Sequence, residues 1–252
     1  MLKKCMLCPH ECKVNREEGQ IGRCRAGTLP KVALASLHNF EEPCISGING
    51  SGTVFFSNCN LSCVFCQNYK ISHEGIGKEI STEKLATIFL KEQEKQAHNI
   101  NLVSPTIYVP QIIEALDIAK ANGLSIPVIY NSSGYERAET IKKLNGYIDI
   151  YMPDFKYAED DLGEKYSHIK NSMKVLEWIK QNIDDQAIIS VMAQYFPTCN
   201  VSKTDLNRKL TKREYQKVEE YLYSLKLENG YIQELEENEE KYVPEFNLSN
   251  IE

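Results

Sequence analysis

Residues 53–66 read Thr53-Val54-Phe55-Phe56-Ser57-Asn58-Cys59-Asn60-Leu61-Ser62-Cys63-Val64-Phe65-Cys66, an apolar run followed by three cysteines spaced CxxxCxxC. A short continuous run of Val and Phe is typical of a strand that is buried on both faces of a parallel sheet. In α/β folds the loop after the carboxyl end of such a strand carries functional residues. The stretch therefore predicts a buried strand that delivers three thiols to the functional edge of a sheet.

The three thiols of this loop suit an iron–sulfur cluster. Three thiolates bind three irons of a [4Fe-4S] cluster and leave the fourth iron open to a small molecule. A zinc site completed by a remote residue, or thiols packed as small hydrophobes, are the alternatives. Zinc ligands, however, usually come as CxxC pairs from two turns, and no His lies within this run. The pattern favours a cluster held by Cys59, Cys63 and Cys66.

A second set of thiols lies near the N-terminus, spaced Cx2Cx3Cx11C: Cys5, Cys8, Cys12 and Cys24. Four thiolates suffice for a tetrahedral zinc or a closed four-iron cluster, and few apolar residues are present to order this segment otherwise. The alternative is a set of free thiols on an unstructured arm. His10 could replace one thiolate, but we expect it to lie outside the ligand set. The spacing does not identify the metal.

Composition limits the class of protein. The chain has 252 residues, enough for one sizeable core, and its 29 basic and 35 acidic residues give a net charge of −6. This balance argues against a broad nucleic-acid-binding surface. The sequence has no apolar run of membrane-spanning length and no apolar segment typical of a signal peptide at its N-terminus, so we expect a cytoplasmic protein with no membrane partner. An odd count of nine Cys at short spacings indicates metal ligands rather than disulfides.

After residue 50 the chain alternates strand-like and helix-like segments, which is typical of a parallel sheet covered by helices. The spacing predicts five parallel strands, at residues 53–56, 100–103, 126–130, 148–152 and 187–191. It predicts helices at residues 81–96, 110–123, 135–145, 173–182 and 211–227. We divide the chain into a Cys-rich metal-binding segment (1–50), a barrel core (51–200) and a C-terminal helix and tail (201–252).

The CxxxCxxC motif, with Phe65 before its third Cys, resembles the signature of the radical S-adenosylmethionine enzymes. The runs Cys-x2-Cys-Pro-His at 5–10, Glu-Glu-Pro-Cys at 41–44, Gly-Ser-Gly-Thr at 50–53 and Cys-Gln-Asn at 66–68 resemble homologues of pyruvate formate-lyase activating enzyme. The likeness covers nearly the whole chain. It implies an α/β fold, a partial (β/α)6 barrel, in which S-adenosylmethionine chelates the open iron and is cleaved reductively to a 5'-deoxyadenosyl radical that abstracts hydrogen.

The resemblance also implies partners. An electron donor such as flavodoxin or ferredoxin would reduce the cluster, and a protein substrate could receive a glycyl radical. Radical modification of a peptide, an RNA or a small molecule is a second hypothesis. A third is a metal-stabilised binding or electron-carrying protein without catalysis. No residue of the sequence chooses among these substrates.

By comparison with the family, the barrel is shortened by one unit. The residues at 166–169 run almost directly into the helical segment at 171–178. A helix–strand unit of roughly 30 residues, found in the family between these points, is therefore absent. Its loss predicts either direct pairing of the flanking strands or exposed sheet edges.

Two strand ends resemble the cofactor-binding positions of the activating enzymes. Asp154 and Lys156 follow the fourth strand in a Met-x-Asp-x-Lys run, where the resemblance implies an Asp that helps to hold a monovalent cation and a Lys that meets the methionine carboxylate. A surface ion pair is the alternative. Asn131, followed by Ser133, stands where relatives carry an acidic cation ligand. An amide oxygen can also coordinate a hard cation, although a plain turn would explain the segment equally well.

A third strand end carries Thr106, where many relatives have Gly-Gly-Glu to accept the methionine amine. Thr106 can accept a hydrogen bond but cannot form an ion pair. Ile107 follows it, where the close family commonly has His. Upstream, Glu41 and Glu42 could reach the site, but we favour a solvated turn.

Overall fold

The structure is a computed structural model that describes residues 1–154, 169–183, 187–193, 195–198, 201–202, 206–227, 229–235 and 243–251, with the side chains of 169–172 excluded. The chain forms two compact units, Met1–Asp154 with Glu245–Glu252 and Phe155–Pro244. The division into segments 1–50, 51–200 and 201–252 follows the chemistry along the chain and stays a prediction.

The first unit is built on a six-stranded sheet in the order β3-β1-β2-β4-β5-β6. Its strands are β1 (Lys31–His38), β2 (Ser51–Phe56), β3 (Lys78–Glu79), β4 (Ile100–Val103), β5 (Val128–Ser132) and β6 (Ile150–Pro153). β2, β4, β5 and β6 pair in parallel, whereas β1 pairs antiparallel with β2 and with β3. This parallel-dominated sheet confirms the α/β partial barrel, and the Cys-rich N-terminus precedes it.

The helices of this unit are α1 (Pro43–Ser46), α2 (Tyr69–Ser72), α3 (Thr82–Glu94), α4 (Val109–Ala121) and α5 (Ala138–Lys142). α3 and α4 cover one face of the sheet, whereas Ile71 of α2 packs with Phe55 and Val103 on the other. Val54 and Leu102, which are paired in register, share a buried cluster with Leu85 of α3 and Leu116 of α4. Ser81 caps α3 as the sequence predicts, because its hydroxyl accepts the Lys84 N–H at 3.2 Å. The largest buried cluster lies between the sheet and the helices α3 and α4. The carboxyl ends of the parallel strands lie at the edge of this cluster, where polar residues can reach a ligand.

Two elements of this unit differ from the sequence prediction. β1 was not expected, and it lies at the antiparallel side of the sheet with Val32, Ala33, Leu34 and Ala35 all buried. The helix predicted at 135–145 is reduced to the five residues of α5. Tertiary contacts of the preceding loop, described below, hold residues 133–137 in a non-helical path and outweigh their local propensity.

The described part of the second unit contains α6 (Ile169–Asn182), β7 (Ile189–Val191), α7 (Lys212–Ser224) and β8 (Gly230–Ile232). The expectation that residues 187–191 add a fifth parallel strand to the barrel sheet is wrong, because β7 pairs with β8 in a separate parallel sheet of two strands. The Tyr215 hydroxyl of α7 lies 3.0 Å from the Val191 carbonyl and 2.7 Å from that of Gln233. This contact holds the helix against the ends of both strands.

β6 forms the outer edge of the barrel sheet within the residues that the structure describes. It pairs with β5, and its Ile150 and Tyr151 are 40% and 43% exposed. The loss of one barrel unit, inferred from the sequence, stays a prediction. None of the helices in the described ranges has both the length and the apolar character needed to cross a bilayer.

Candidate iron–sulfur and cofactor site

The thiol loop leaves β2 through Asn58, which has a left-handed φ of +69° that Asn tolerates better than most residues. The Asn58 N–H donates to the Ile71 carbonyl at 2.8 Å, so that α2 closes the loop at its far end. Within the loop, the Cys66 N–H donates to the Cys63 carbonyl at 3.1 Å. These backbone bonds fold the three cysteines into one compact turn at the carboxyl end of the strand.

Hydrogen bonds stabilise the sulfurs of Cys59 and Cys66 in the loop. The Leu61 N–H donates to Cys59 Sγ at 3.4 Å, and the Ser72 hydroxyl donates to Cys66 Sγ at 3.2 Å. All three cysteines are half-buried. Donors aimed at sulfur stabilise the negative charge of thiolate ligands, and partial exposure leaves room for a ligand on a cluster. The donor set thus fits a [4Fe-4S] cluster.

A buried cation–aromatic contact supports the residues at the start of the thiol loop. Arg16 is 1% exposed, donates to the Ile107 carbonyl at 2.7 Å, and lies 5.8 Å from the ring centroid of Tyr108. The Tyr108 hydroxyl donates to the Ser57 carbonyl at 3.1 Å, and burial raises the pKa of Tyr108 to about 12. The N-terminal segment therefore helps to fix the last residue before Asn58.

The four N-terminal thiols line one pocket, together with Gly22 and the side chain of Arg16. Burial raises the pKa of Cys8 and of Cys24, and the neighbouring thiols add to both shifts. A Cβ on Gly22 would lie 3.0 Å from Cys12 Sγ, so the glycine makes room for that sulfur. In the described ranges no three His, Cys, Asp or Glu groups are placed as ligands of a single ion. What fits a metal here is the donor set and its shared pocket.

His10 joins the N-terminal segment to the thiol loop. Its Nε2 donates to the Asn60 carbonyl at 2.8 Å, and the Asn60 amide donates to the Tyr135 carbonyl at 2.8 Å. The His10 and Tyr135 rings lie 5.3 Å apart. A single residue of the loop, next to Cys59, is thus held by both the N-terminal segment and the β5–α5 loop.

Two further contacts join the N-terminal segment to the residues around α5. Arg137 forms an ion pair with Glu11 at 2.9 Å, and the Thr140 hydroxyl donates to the Leu7 carbonyl at 2.8 Å. Neither contact is readable from sequence spacing, because each joins residues more than 120 positions apart.

The cofactor-binding positions that the sequence predicts lie at the ends of neighbouring strands. Asn131 of β5 pairs with Val103 of β4 on one side and with Met152 of β6 on the other. The Asp154 N–H donates to the Ser132 carbonyl at 2.8 Å. Ser133 Oγ is buried with no hydrogen-bond partner among the described residues. Lys156 lies outside the described residues.

Thr106 is 2% exposed and has a partner that the sequence did not suggest. Its hydroxyl donates to Glu136 Oε1 at 2.7 Å. Burial raises the pKa of Glu136, hydrogen bonds from Thr106 and Ser132 lower it, and Asp154 raises it further. No motif marks Glu136, since its importance depends on the loop that returns it to the end of β4.

Glu41 is a half-buried acid. Its pKa is raised to about 7 by burial and then by the charges of Glu42 and Asp154, and the side-chain amide of Asn101 opposes this rise. Of the two interpretations of Glu41, a solvated turn and a side chain that reaches the site, its partial burial and the nearby charge of Asp154 favour the second. Asn101 itself is fully buried on β4, and neither of its amide atoms makes a hydrogen bond of normal geometry to a described residue.

Comparison with known proteins gives a family match and two relatives. The model of the Radical SAM superfamily matches residues 53–198. The uncharacterized protein MJ0674 of Methanocaldococcus jannaschii is 31% identical, over 86% of this chain and 73% of its own length. The pyruvate formate-lyase-activating enzyme of Clostridium pasteurianum is 24% identical, over 52% of this chain and 56% of its own length. The chain thus spans just over half of the activating enzyme that it matches.

Proposed function

This chain belongs to the radical SAM superfamily, and we propose that it is an iron–sulfur enzyme that cleaves S-adenosylmethionine reductively. The observation that carries the proposal is the thiol loop, in which three half-buried cysteines follow β2 and the sulfurs of Cys59 and Cys66 accept hydrogen bonds. When bound, a [4Fe-4S] cluster and S-adenosylmethionine together supply a radical that abstracts hydrogen from a substrate.

The chain's own residues would hold these groups. Cys59, Cys63 and Cys66 would ligate the cluster, with the Leu61 N–H and the Ser72 hydroxyl stabilising two of the thiolates. Asn131, Ser133, Asp154 and Lys156 are proposed to meet the amino-acid end of S-adenosylmethionine and a monovalent cation. The arrangement of Asp154 beside the β5 turn supports this, because its N–H is fixed by Ser132.

The enzyme proposal is tested by anaerobic reconstitution with iron and sulfide, reduction with dithionite, and addition of S-adenosylmethionine. We expect 5'-deoxyadenosine from the wild-type chain and none from Cys59→Ala. Cys44→Ala is the matched control, since Cys44 is exposed on α1 and outside both thiol sets. A wild-type chain with a complete cluster and no cleavage product would contradict the proposal and favour a binding or electron-carrying protein.

The N-terminal thiols are proposed to hold a second metal, either zinc or an iron–sulfur cluster. Support comes from their shared pocket and from the space that Gly22 leaves for Cys12. Metal analysis after reconstitution decides its identity. We expect Cys5→Ala to lower the content of one metal and leave the three-thiol cluster spectroscopically intact.

For the reaction partner, we propose a protein substrate that receives a glycyl radical, with flavodoxin or ferredoxin as electron donor. The likeness to the Clostridium pasteurianum activating enzyme supports this class. Incubation with a candidate partner and detection of a glycyl radical by electron paramagnetic resonance would test it. Cleavage of S-adenosylmethionine without any partner radical would leave the enzyme proposal standing and overturn this one.

A further inference from the structure

Glu136 is a half-buried acid, and its described hydrogen-bond partners do not neutralise its charge. Thr106 and Ser132 donate hydrogen bonds to its carboxylate, and the charge felt from its surroundings is that of Asp154, another acid. Within the described ranges no Lys, Arg or His forms an ion pair with Glu136. The neighbouring Arg137 is already engaged by Glu11 at 2.9 Å and Glu139 at 3.3 Å.

A second observation points to a ligand at the same place. The Tyr130 hydroxyl approaches the Thr106 and Glu136 pair, and the tyrosine is 1% exposed. This hydroxyl has no hydrogen-bond partner of normal geometry among the described residues. A buried hydroxyl without a hydrogen-bond partner costs free energy unless a further group, such as a ligand, bonds to it.

The acid also lies close to the thiol loop. Tyr135 precedes Glu136 in sequence, and the Tyr135 carbonyl accepts the Asn60 amide at 2.8 Å. Asn60 is itself adjacent to Cys59. A cationic group on a ligand of the cluster would therefore find two acids, Glu136 and Asp154, beside the end of β5. A charge-assisted hydrogen bond to a carboxylate is among the stronger polar contacts.

We propose that Glu136 binds the ammonium group of S-adenosylmethionine, with Thr106 positioning the carboxylate from the end of β4. This inference rests on the proposed function. It means that the negative charge of this subsite is supplied by the loop after β5, whereas the residue at the end of β4 supplies only a hydroxyl. Thr106 is then a positioning residue, and Glu136 is the residue that contacts the cofactor.

The test measures binding by equilibrium dialysis with the reconstituted, unreduced protein, so that no turnover is needed. The probes are S-adenosylmethionine and its analogue in which hydrogen replaces the amine. Glu136→Gln should weaken binding of S-adenosylmethionine by at least about tenfold and leave the affinity for the deaminated analogue within about twofold. Glu114→Gln, an exposed acid on α4, removes the same charge and should change neither affinity.

A second experiment moves the negative charge from position 136 to position 106. The double variant Thr106→Glu with Glu136→Gln should regain part of the affinity that Glu136→Gln loses, again for S-adenosylmethionine only. Equal losses for both probes in Glu136→Gln, or no loss for either, would overturn the inference while the wild-type affinity still supports the proposed function. A wild-type protein that binds neither probe would overturn both.

Discussion

The two sets of thiols differ in number, burial and surroundings. The N-terminal set has four sulfurs that line one pocket, with Cys5 and Cys8 only 9% and 7% exposed. The loop set has three, all half-buried, with hydrogen-bond donors aimed at Cys59 and Cys66. Four ligands complete a coordination sphere and favour a structural role, whereas three leave a position for a reactant. We therefore propose that the N-terminal set stabilises the scaffold and that the loop set carries the chemistry.

Removing one thiol from each set should separate these roles most clearly. Metal binding by four thiolates supplies a large part of the folding free energy in small structural sites. Cys8→Ala should therefore lower the melting temperature of the reconstituted protein by at least about 10 °C. Cys63→Ala should lower it by much less while abolishing cleavage of S-adenosylmethionine. Circular dichroism melts of both variants, with metal analysis, test this; equal shifts would contradict the distinction.

A steric change tests the N-terminal thiol set without removing a ligand. In Gly22→Ala the new Cβ would lie 3.0 Å from Cys12 Sγ and 3.1 Å from its Cβ, so that the sulfur must move. We expect this variant to lose its N-terminal metal to a chelator at least about tenfold faster, because a shifted ligand weakens the site. Gly27→Ala is the control, since its Cβ would make an ordinary contact of 3.5 Å with Glu79. Identical release rates in the two variants would contradict a ligand role for Cys12.

Substitution of His10 removes a hydrogen bond that links the N-terminal segment to the thiol loop. Loss of its hydrogen bond to Asn60 should cost about 1 kcal/mol, so His10→Ala should lose its loop cluster several-fold faster in air. His10→Gln retains a donor and should lie between Ala and wild type. Decay of the cluster absorbance measures this effect. An unchanged rate in His10→Ala would mean that the loop is held by its own contacts alone.

The smallest effect concerns a single donor to sulfur. Ser72→Ala removes the hydroxyl that donates to Cys66 Sγ at 3.2 Å. Hydrogen bonds to cluster sulfurs favour the reduced, more negative state, so the reduction potential should fall. A bond of about 1 kcal/mol corresponds to about 40 mV for a one-electron couple. Ser72→Thr keeps the hydroxyl and should stay near wild type in a redox titration; a potential that rises in Ser72→Ala would refute this role.

Sequence reasoning found what local spacing encodes. The thiol loop after β2, the cap of α3 at Ser81 and the four parallel strands are each set by residues within a few positions of one another. It missed the features made by residues distant in sequence. Glu136 becomes a partner of Thr106 only when β4 and β5 lie side by side, and β7 pairs with β8 only across about 40 intervening residues. The periodicity of apolar residues along the chain does not show which distant residues the fold brings together.

The same limit explains Glu41. A Glu-Glu-Pro run has the composition of a solvated turn, and nothing in it indicates that Glu41 will be half-buried near Asn101, with its pKa raised to about 7. The role of His10 was likewise undetermined until its contact with Asn60 was known. In each case the missing information is the identity of the group that the fold brings to the side chain.

Gly134 bends the chain at the end of β5 with φ of +73°, and a Cβ there would lie 2.8 Å from the Asp154 carbonyl oxygen. Both the backbone angle and the lack of space exclude other amino acids at this position. In a library of all single substitutions, position 134 should therefore be as intolerant as the cluster cysteines, although it contributes no reactive group. Its constraint is the distance at which two neighbouring strand ends can approach.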